Sequence, residues 1–235
     1  MNPSLEHYRQ DFADFVTTKL TDFYDGIAQF YRERGGNPDS LSYFVNHWPR
    51  FEGMLKLCND NHIDPVTINT ACELGSWYPY TSYCWKAANS ACTIDLYDII
   101  VRELKGQVAE YDVEGVRLID FNLCTDTLPA KKYDIVVVSE VLEHLSCNVM
   151  ALCDDIKLLV RPGGHLLVTY PLGGKHARDY GAEMPGYDQT RLVEGHVREF
   201  TRQTVPLFFK DMTLVATRDV RYPAYGLIQI CLYRR

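Results

Sequence analysis

No run of apolar residues in this chain approaches the roughly 18 that a membrane-spanning helix requires, and the opening stretch, Met1 to Phe12, is too polar for a secretory leader. The expectation is a cytoplasmic protein with no membrane partner. An excess of positive charge is also missing: 31 acidic residues against 24 basic ones leave a net charge of -7. That balance is opposite to the footprint of a protein that neutralises nucleic-acid phosphates, so a small or neutral ligand is the easier partner. The eight cysteines, at 58, 72, 84, 92, 124, 147, 153 and 231, contain no Cys-x-x-Cys pair, and only His144-x-x-Cys147 comes near a metal-knuckle spacing. Neither a disulfide framework nor a zinc knot is indicated. A Gly-x-Gly-x-x-Gly phosphate cradle is absent as well, which counts against a nicotinamide dehydrogenase. No internal repeat is found.

What is present is enough apolar material for a sizeable core: 46% hydrophobic and 23% charged residues over 235 positions suggest one full domain plus an extension. From Leu5 to Tyr31 the large apolar residues recur three or four apart, the spacing of an amphipathic helix or helix pair. Gly35, Gly36, Asn37 and Pro38 break it, and a further helix is expected from about Leu41 to Cys58. These elements form an expected N-terminal helical cap over residues 1–62. Beyond Pro65, strand and helix signals alternate, the pattern of a parallel sheet. The expected strands end at Glu73-Leu74-Gly75 and at Asp95, then cover Val116 to Ile119, Ile135 to Ser139, His165 to Tyr170, Thr213 to Val220 and Gly226 to Tyr233. Helices are expected near Thr81 to Asn89, Tyr97 to Lys105, Asn148 to Val160 and Arg202 to Phe209. Arg161-Pro162-Gly163-Gly164 reads as the stop of the helix from Asn148, ahead of the fifth strand. A glycine-rich stretch over 171–196 is long enough to be a binding loop or lid. Its His176, Arg178, Tyr180, Tyr187 and Arg191 are candidates for a polar or anionic substrate.

Open parallel sheets bind ligands outside the carboxyl ends of their strands. Those ends carry Glu73 and Gly75, Asp95, Asp120 with Phe121, and Ser139 with Glu140. Asp95 follows Gly75 by 20 residues, the spacing at which a carboxylate accepts from a ribose diol. Taken with the order of elements, the segments Cys72-Glu73-Leu74-Gly75-Ser76, Thr93-Ile94-Asp95-Leu96-Tyr97, Leu118-Ile119-Asp120-Phe121-Asn122, Tyr133 to Leu145 and Leu159 to Val168 resemble the class I S-adenosylmethionine-dependent methyltransferases. The resemblance covers about residues 66 to 234. It implies a Rossmann-like α/β fold, a seven-stranded, mostly parallel sheet with helices on both faces, in a domain over 63–235. It also implies S-adenosylmethionine held by Glu73, Gly75, Ser76, Asp95, Leu96, Asp120, Phe121 and Ser139. Gly75 would admit the methionine moiety, Asp95 the ribose, and Asp120 with Phe121 the adenine. One departure stands out: the family's Glu-x-Gly-x-Gly-x-Gly appears here as Glu73-Leu74-Gly75-Ser76-Trp77-Tyr78-Pro79. Trp77 adds bulk and Pro79 lacks an N–H, so the loop needs another shape. An inherited fold without cofactor, serving as a silent partner or regulator, is the alternative.

Glu140, Glu143 and His144 are spaced three and four apart. The segment runs from the end of the fourth strand into an expected helix, and the spacing places all three on one helical face, where carboxylates and an imidazole converge on a cation or a substrate proton. His196, at the end of the long loop, could close the same site, and His144 or His196 is the natural general base. The pattern Glu-x-x-Glu-His with a downstream His-x-x-Glu-aromatic-Thr, here His196, Glu199, Phe200 and Thr201, resembles a metal-assisted branch of the family. That branch includes ubiquinone-pathway O-methyltransferases and small-RNA 2′-O-methyltransferases. The resemblance implies Mg²⁺ on Glu140, Glu143, His144 and His196, acidifying a hydroxyl. The leading expectation is O-methylation of a small molecule, such as a sugar, a glycan precursor or a natural-product hydroxyl, with nitrogen acceptors left open. An RNA 2′-hydroxyl is the second reading, opposed by the acidic balance.

Overall fold

The computed structural model describes residues 40–76, 80–99, 114–172, 196–222 and 226–235. The expected helix at 5–31, the Trp77–Pro79 part of the altered loop and the loop residues His176 to Arg191 lie outside the described residues, as do residues 100–105 of the helix expected at 97–105, whose first residues, Tyr97 and Asp98, belong instead to a strand because that strand runs three residues past Asp95. The chain divides into two compact units, Met1–Asn122 and Leu123–Arg235, a division inside the expected 63–235 segment.

In the first unit, helix α1 (Ser40–Asp60) carries Trp48, Phe51, Met54, Leu55 and Cys58 at three- and four-residue spacing, and all are buried. A short 3-10 turn at Pro65–Thr67 follows, capped by the Asp64 carboxylate, which accepts from the Val66 amide at 3.0 Å. That turn holds Val66 apart from strand β1 (Thr70–Leu74), which begins after it. Helix α2 (Tyr80–Ala88) ends where Lys86 donates to the carbonyls of Ser90 and Cys92, a cation placed where the helix dipole favours one. Strand β2 (Thr93–Asp98) pairs in parallel with β1, and β3 (Val116–Asp120) in parallel with β2.

The second unit is built on β4 (Tyr133–Ser139), whose residues are buried from Tyr133 through Val138, the signature of a parallel strand covered on both faces. Helix α3 (Val149–Leu159) starts at Asn148, whose side chain accepts from the Ala151 amide at 3.2 Å. Strand β5 (Val160–Leu172) pairs in parallel with β4. Helix α4 (Thr204–Phe208) leads to β6 (Thr213–Tyr222), which pairs antiparallel with β7 (Gly226–Arg234), itself antiparallel to β5. The seven strands form the expected mostly parallel arrangement with helices.

Helix α3 ends at Leu159, at the expected stop, but β5 begins at Val160 instead of His165 and takes in Arg161-Pro162-Gly163-Gly164. These four residues form an irregularity opposite Asp134, since Tyr133 pairs with Val160 and Ile135 with His165. Arg161 is ion-paired to Asp134 at 2.5 Å, and the backbone bonds Gly163 N–H to Arg235 O and Arg235 N–H to Gly164 O tie the bulge to the strand beside it.

Candidate cofactor and proton-transfer sites

In the first unit the chain leaves β1 through Gly75 at φ +68°, a left-handed conformation that costs an L-residue energy and glycine nothing. The Gly75 and Ser76 amides both donate to the Tyr97 carbonyl, at 2.8 and 3.3 Å, which folds this turn over the end of β2. Glu73 is 3% exposed, and its carboxylate accepts from the Ser82 amide in the first turn of α2 at 3.3 Å. Burial pushes its pKa up to about 7; the charge on Asp98 adds to the rise, against the Ser82 hydrogen bonds and the Arg50 guanidinium.

Strand β2 does not end at Asp95. It continues for three more residues to Asp98, and Asp95 lies mid-strand, 1% exposed, in a two-pronged ion pair with Arg117 at 2.7 Å for both bonds. The strand end carries Asp98, which pairs in register with Asp120 at the end of β3, and the Phe121 amide donates to the Asp98 carbonyl at 3.1 Å. Phe121 is buried edge-on against Tyr97, ring centroids 5.2 Å apart, while Asp120 is exposed. Leu96 is fully buried. The sequence reading did not single out Asp98, the second acid of this strand, three residues past Asp95 and 23 past Gly75.

In the second unit Ser139, Glu140 and Thr169 form a cluster at the ends of β4 and β5. The Thr169 hydroxyl donates to Glu140 Oε1 at 2.8 Å and accepts from the Glu140 amide at 3.1 Å, so the Ser139 hydroxyl, 3.1 Å away, is the donor toward Thr169. Glu140 holds φ +54°, and a 3-10 turn at Leu142–His144 follows; α3 begins only at Val149. Glu140, Glu143 and His144 therefore do not share a helical face. The structure brings together Glu143, fully buried, with His144 and His196, their ligand atoms all within 4.8 Å of one another. The two imidazoles meet edge to face, centroids 4.7 Å apart, and His144 Nε2 lies 3.9 Å from Glu143 Oε1. Burial, assisted by His144, lowers the His196 pKa to about 4, so this ring is neutral near pH 7.

Two imidazoles and one carboxylate are a poor match for Mg²⁺, which prefers an all-oxygen octahedron, and with Glu140 turned to Thr169 the expected fourth ligand is engaged elsewhere. S-adenosylmethionine finds a better fit in the first unit. There a positive-φ glycine presents bare backbone, and carboxylates stand at adjacent strand ends where a nucleoside's hydroxyls and amine can be met.

A family model described as a methyltransferase domain matches residues 68–212, more than half of the chain. Among solved structures, the chain resembles the N-methyltransferase NodS from Bradyrhizobium japonicum WM9 in complex with S-adenosylhomocysteine (15% identity, 88% of this chain and 97% of that one, TM-score 0.60). It also resembles the Burkholderia thailandensis 1,6-didemethyltoxoflavin-N1-methyltransferase with bound 1,6-didemethyltoxoflavin and S-adenosylhomocysteine (13% identity, 100% and 92%, TM-score 0.56). A third is an O-methyltransferase family protein from Burkholderia thailandensis (13% identity, 79% and 58%, TM-score 0.56). No curated protein sequence matches the chain.

Proposed function

We propose, for a chain that belongs to the methyltransferase-domain family and is an S-adenosylmethionine-dependent methyltransferase, that the acceptor is a small-molecule hydroxyl whose proton is taken at the His144–His196 pair. The observation that carries this reading is the His196 imidazole packed edge to face against His144 beside the buried Glu143. When bound, S-adenosylmethionine supplies an electrophilic methyl group on a sulfonium. A neutral amine attacks with its own lone pair, whereas a hydroxyl is a weak nucleophile until a base draws off its proton. His196 has a lone pair free of a proton at neutral pH and accepts the hydroxyl hydrogen bond; the more exposed His144 hands the proton on to solvent. The Glu143 carboxylate beside them favours the moment at which the pair carries charge.

We further assign the ribose hydroxyls to Asp98 and the adenine to the Asp120–Phe121 strand end, with Gly75 and Ser76 against the methionine portion. Asp95 is left to its structural pair with Arg117. The three-donor cluster supports a second reading, a borderline divalent metal such as Zn²⁺ in place of Mg²⁺. An RNA acceptor draws no support from a net charge of -7.

The test is a methyl-transfer screen with radiolabelled S-adenosylmethionine across sugar, glycan-precursor, phenolic and amine acceptors, run with the wild type and His196→Ala. Turnover on a hydroxyl acceptor that the variant loses is the expected result. Turnover confined to amines, or untouched by the substitution, overturns it.

A further inference from the structure

We propose that Arg198 is the positioning residue that sets the contact between His144 and His196, an inference that rests on reading this pair as the proton acceptor. Residues 196–199 belong to no helix or strand, and the next anchoring point is Phe200, buried at 1% exposure and bridged to Leu172. A histidine on such a segment has its place fixed only by what the segment bonds to. Here it is bonded to the turn that carries the other histidine. The amides of Val197 and Arg198 both donate to the Glu143 carbonyl, at 2.8 and 3.2 Å, using both of that oxygen's lone pairs.

The Arg198 side chain then reaches past the turn. Nη1 donates to the Leu145 carbonyl and Nη2 to the Cys147 carbonyl, each at 2.5 Å. These carbonyls fall between the 3-10 turn, which ends as Leu145 goes extended, and the start of α3 at Val149. The guanidinium therefore spans a stretch of backbone that no helix or strand braces. A planar fork with several fixed donors suits two carbonyls two residues apart; a lysine ammonium brings the same charge on a flexible stem without the fork. With backbone bonds on one side and the fork on the other, the His196 segment is held against the His144 turn along residues 143–147. Arg198 acts through the histidines and is not itself a catalytic residue.

The experiment uses the full chain, free of ligand, as wild type, Arg198→Ala and Arg198→Lys. It reads the nuclear Overhauser contact between the His144 and His196 ring protons together with amide exchange at Val197. Thermal melting and S-adenosylhomocysteine affinity serve as controls. The wild type shows the ring contact. Arg198→Ala is expected to lose it, with Val197 exchange faster by about tenfold and S-adenosylhomocysteine affinity unchanged. Arg198→Lys is expected to weaken the contact despite keeping the charge. An intact ring contact in a folded Arg198→Ala protein overturns the proposal, and so does an Arg198→Lys protein indistinguishable from wild type. If Arg198→Ala does not fold, the lysine variant decides alone on the same readouts. Failure of the functional reading looks different: His196→Ala would keep full turnover on the screened acceptor while Arg198→Ala still lost the ring contact.

Discussion

Replacing Asp98 and Asp95 in turn, each by asparagine, tests the proposed assignment of the ribose to Asp98 and of Asp95 to its ion pair with Arg117. In Asp98→Asn the side chain keeps its shape but loses its charge at the end of β2. A hydrogen bond to a charged acceptor contributes about 1.5–3 kcal/mol, so weakening two ribose contacts costs about 3 kcal/mol, or roughly a hundredfold in affinity. The fold should hardly notice. The same change relieves the upward push on Glu73, whose raised pKa includes the charge of Asp98, so the Glu73 titration should move down. Asp95→Asn does the reverse. It breaks a two-pronged ion pair, but Arg117 is 64% exposed and returns to water, so the cost is set by one buried position and amounts to about 1–2 kcal/mol of stability. That corresponds to a fall of several degrees in melting temperature with cofactor affinity unchanged. Isothermal titration with S-adenosylhomocysteine and a thermal melt on each variant measure both quantities. A hundredfold affinity loss in Asp95→Asn beside wild-type binding in Asp98→Asn would refute the assignment.

His196→Ala should lower turnover by about 10²–10⁴-fold, the range for a lost general base, while S-adenosylhomocysteine affinity stays within twofold; steady-state kinetics showing wild-type turnover removes the residue from the mechanism. Glu73 has a pKa of about 7 in the fold against an ordinary 4.5. Its protonated form therefore stabilises the native state fully below pH 4.5, and up to about 3 kcal/mol is lost as pH rises to 7. Denaturant titrations across this range should show a flatter profile for Glu73→Gln, and identical profiles would contradict the shift. His196 has the opposite sign, its pKa lowered to about 4, so its contribution is lost as pH falls from 6.5 toward 4 and should vanish in His196→Ala. Gly75→Ala forces a methyl group into φ +68° and should cost about 1–2 kcal/mol in a melt; an unchanged melting temperature would mean that the turn relaxes. Adding millimolar Mg²⁺ after chelation should leave turnover unchanged, and restored activity would show that the two-imidazole donor set accepts a hard cation after all.

The architecture was legible because burial writes itself into runs of residues. Tyr133 to Ser139 reads as a strand covered on both faces, and α1 and α2 fall within a residue or two of their expected limits. The site was harder to read because it depends on where elements stop. Two acids lie in Thr93–Asp98, and only the pairing of β2 with both neighbours shows that the strand outlasts the first of them. Arg117, which claims Asp95, is 22 residues away and carries no local signal. Glu140 to His144 has helical spacing, but a left-handed residue and a single 3-10 turn spend those positions before α3 begins. The meeting of His144 with His196 joins residues 52 apart, a contact that motif resemblance suggested and local pattern could not. Arg198 gave no warning, because its partners are backbone carbonyls and any sequence supplies those.

Strand β6 has a consequence for handling the protein. It stands last in the strand order and pairs only with β7 among the described strands, with Leu214 and Val215 exposed on it. Such an edge is a template for another chain. Arg218, Asp219 and Arg221 interrupt it with charge, and Arg202 fixes Asp219 at 2.7 Å. Neutralising Arg218 and Arg221 is expected to lower the concentration at which the protein begins to associate, since charge on an edge strand opposes pairing with a second chain.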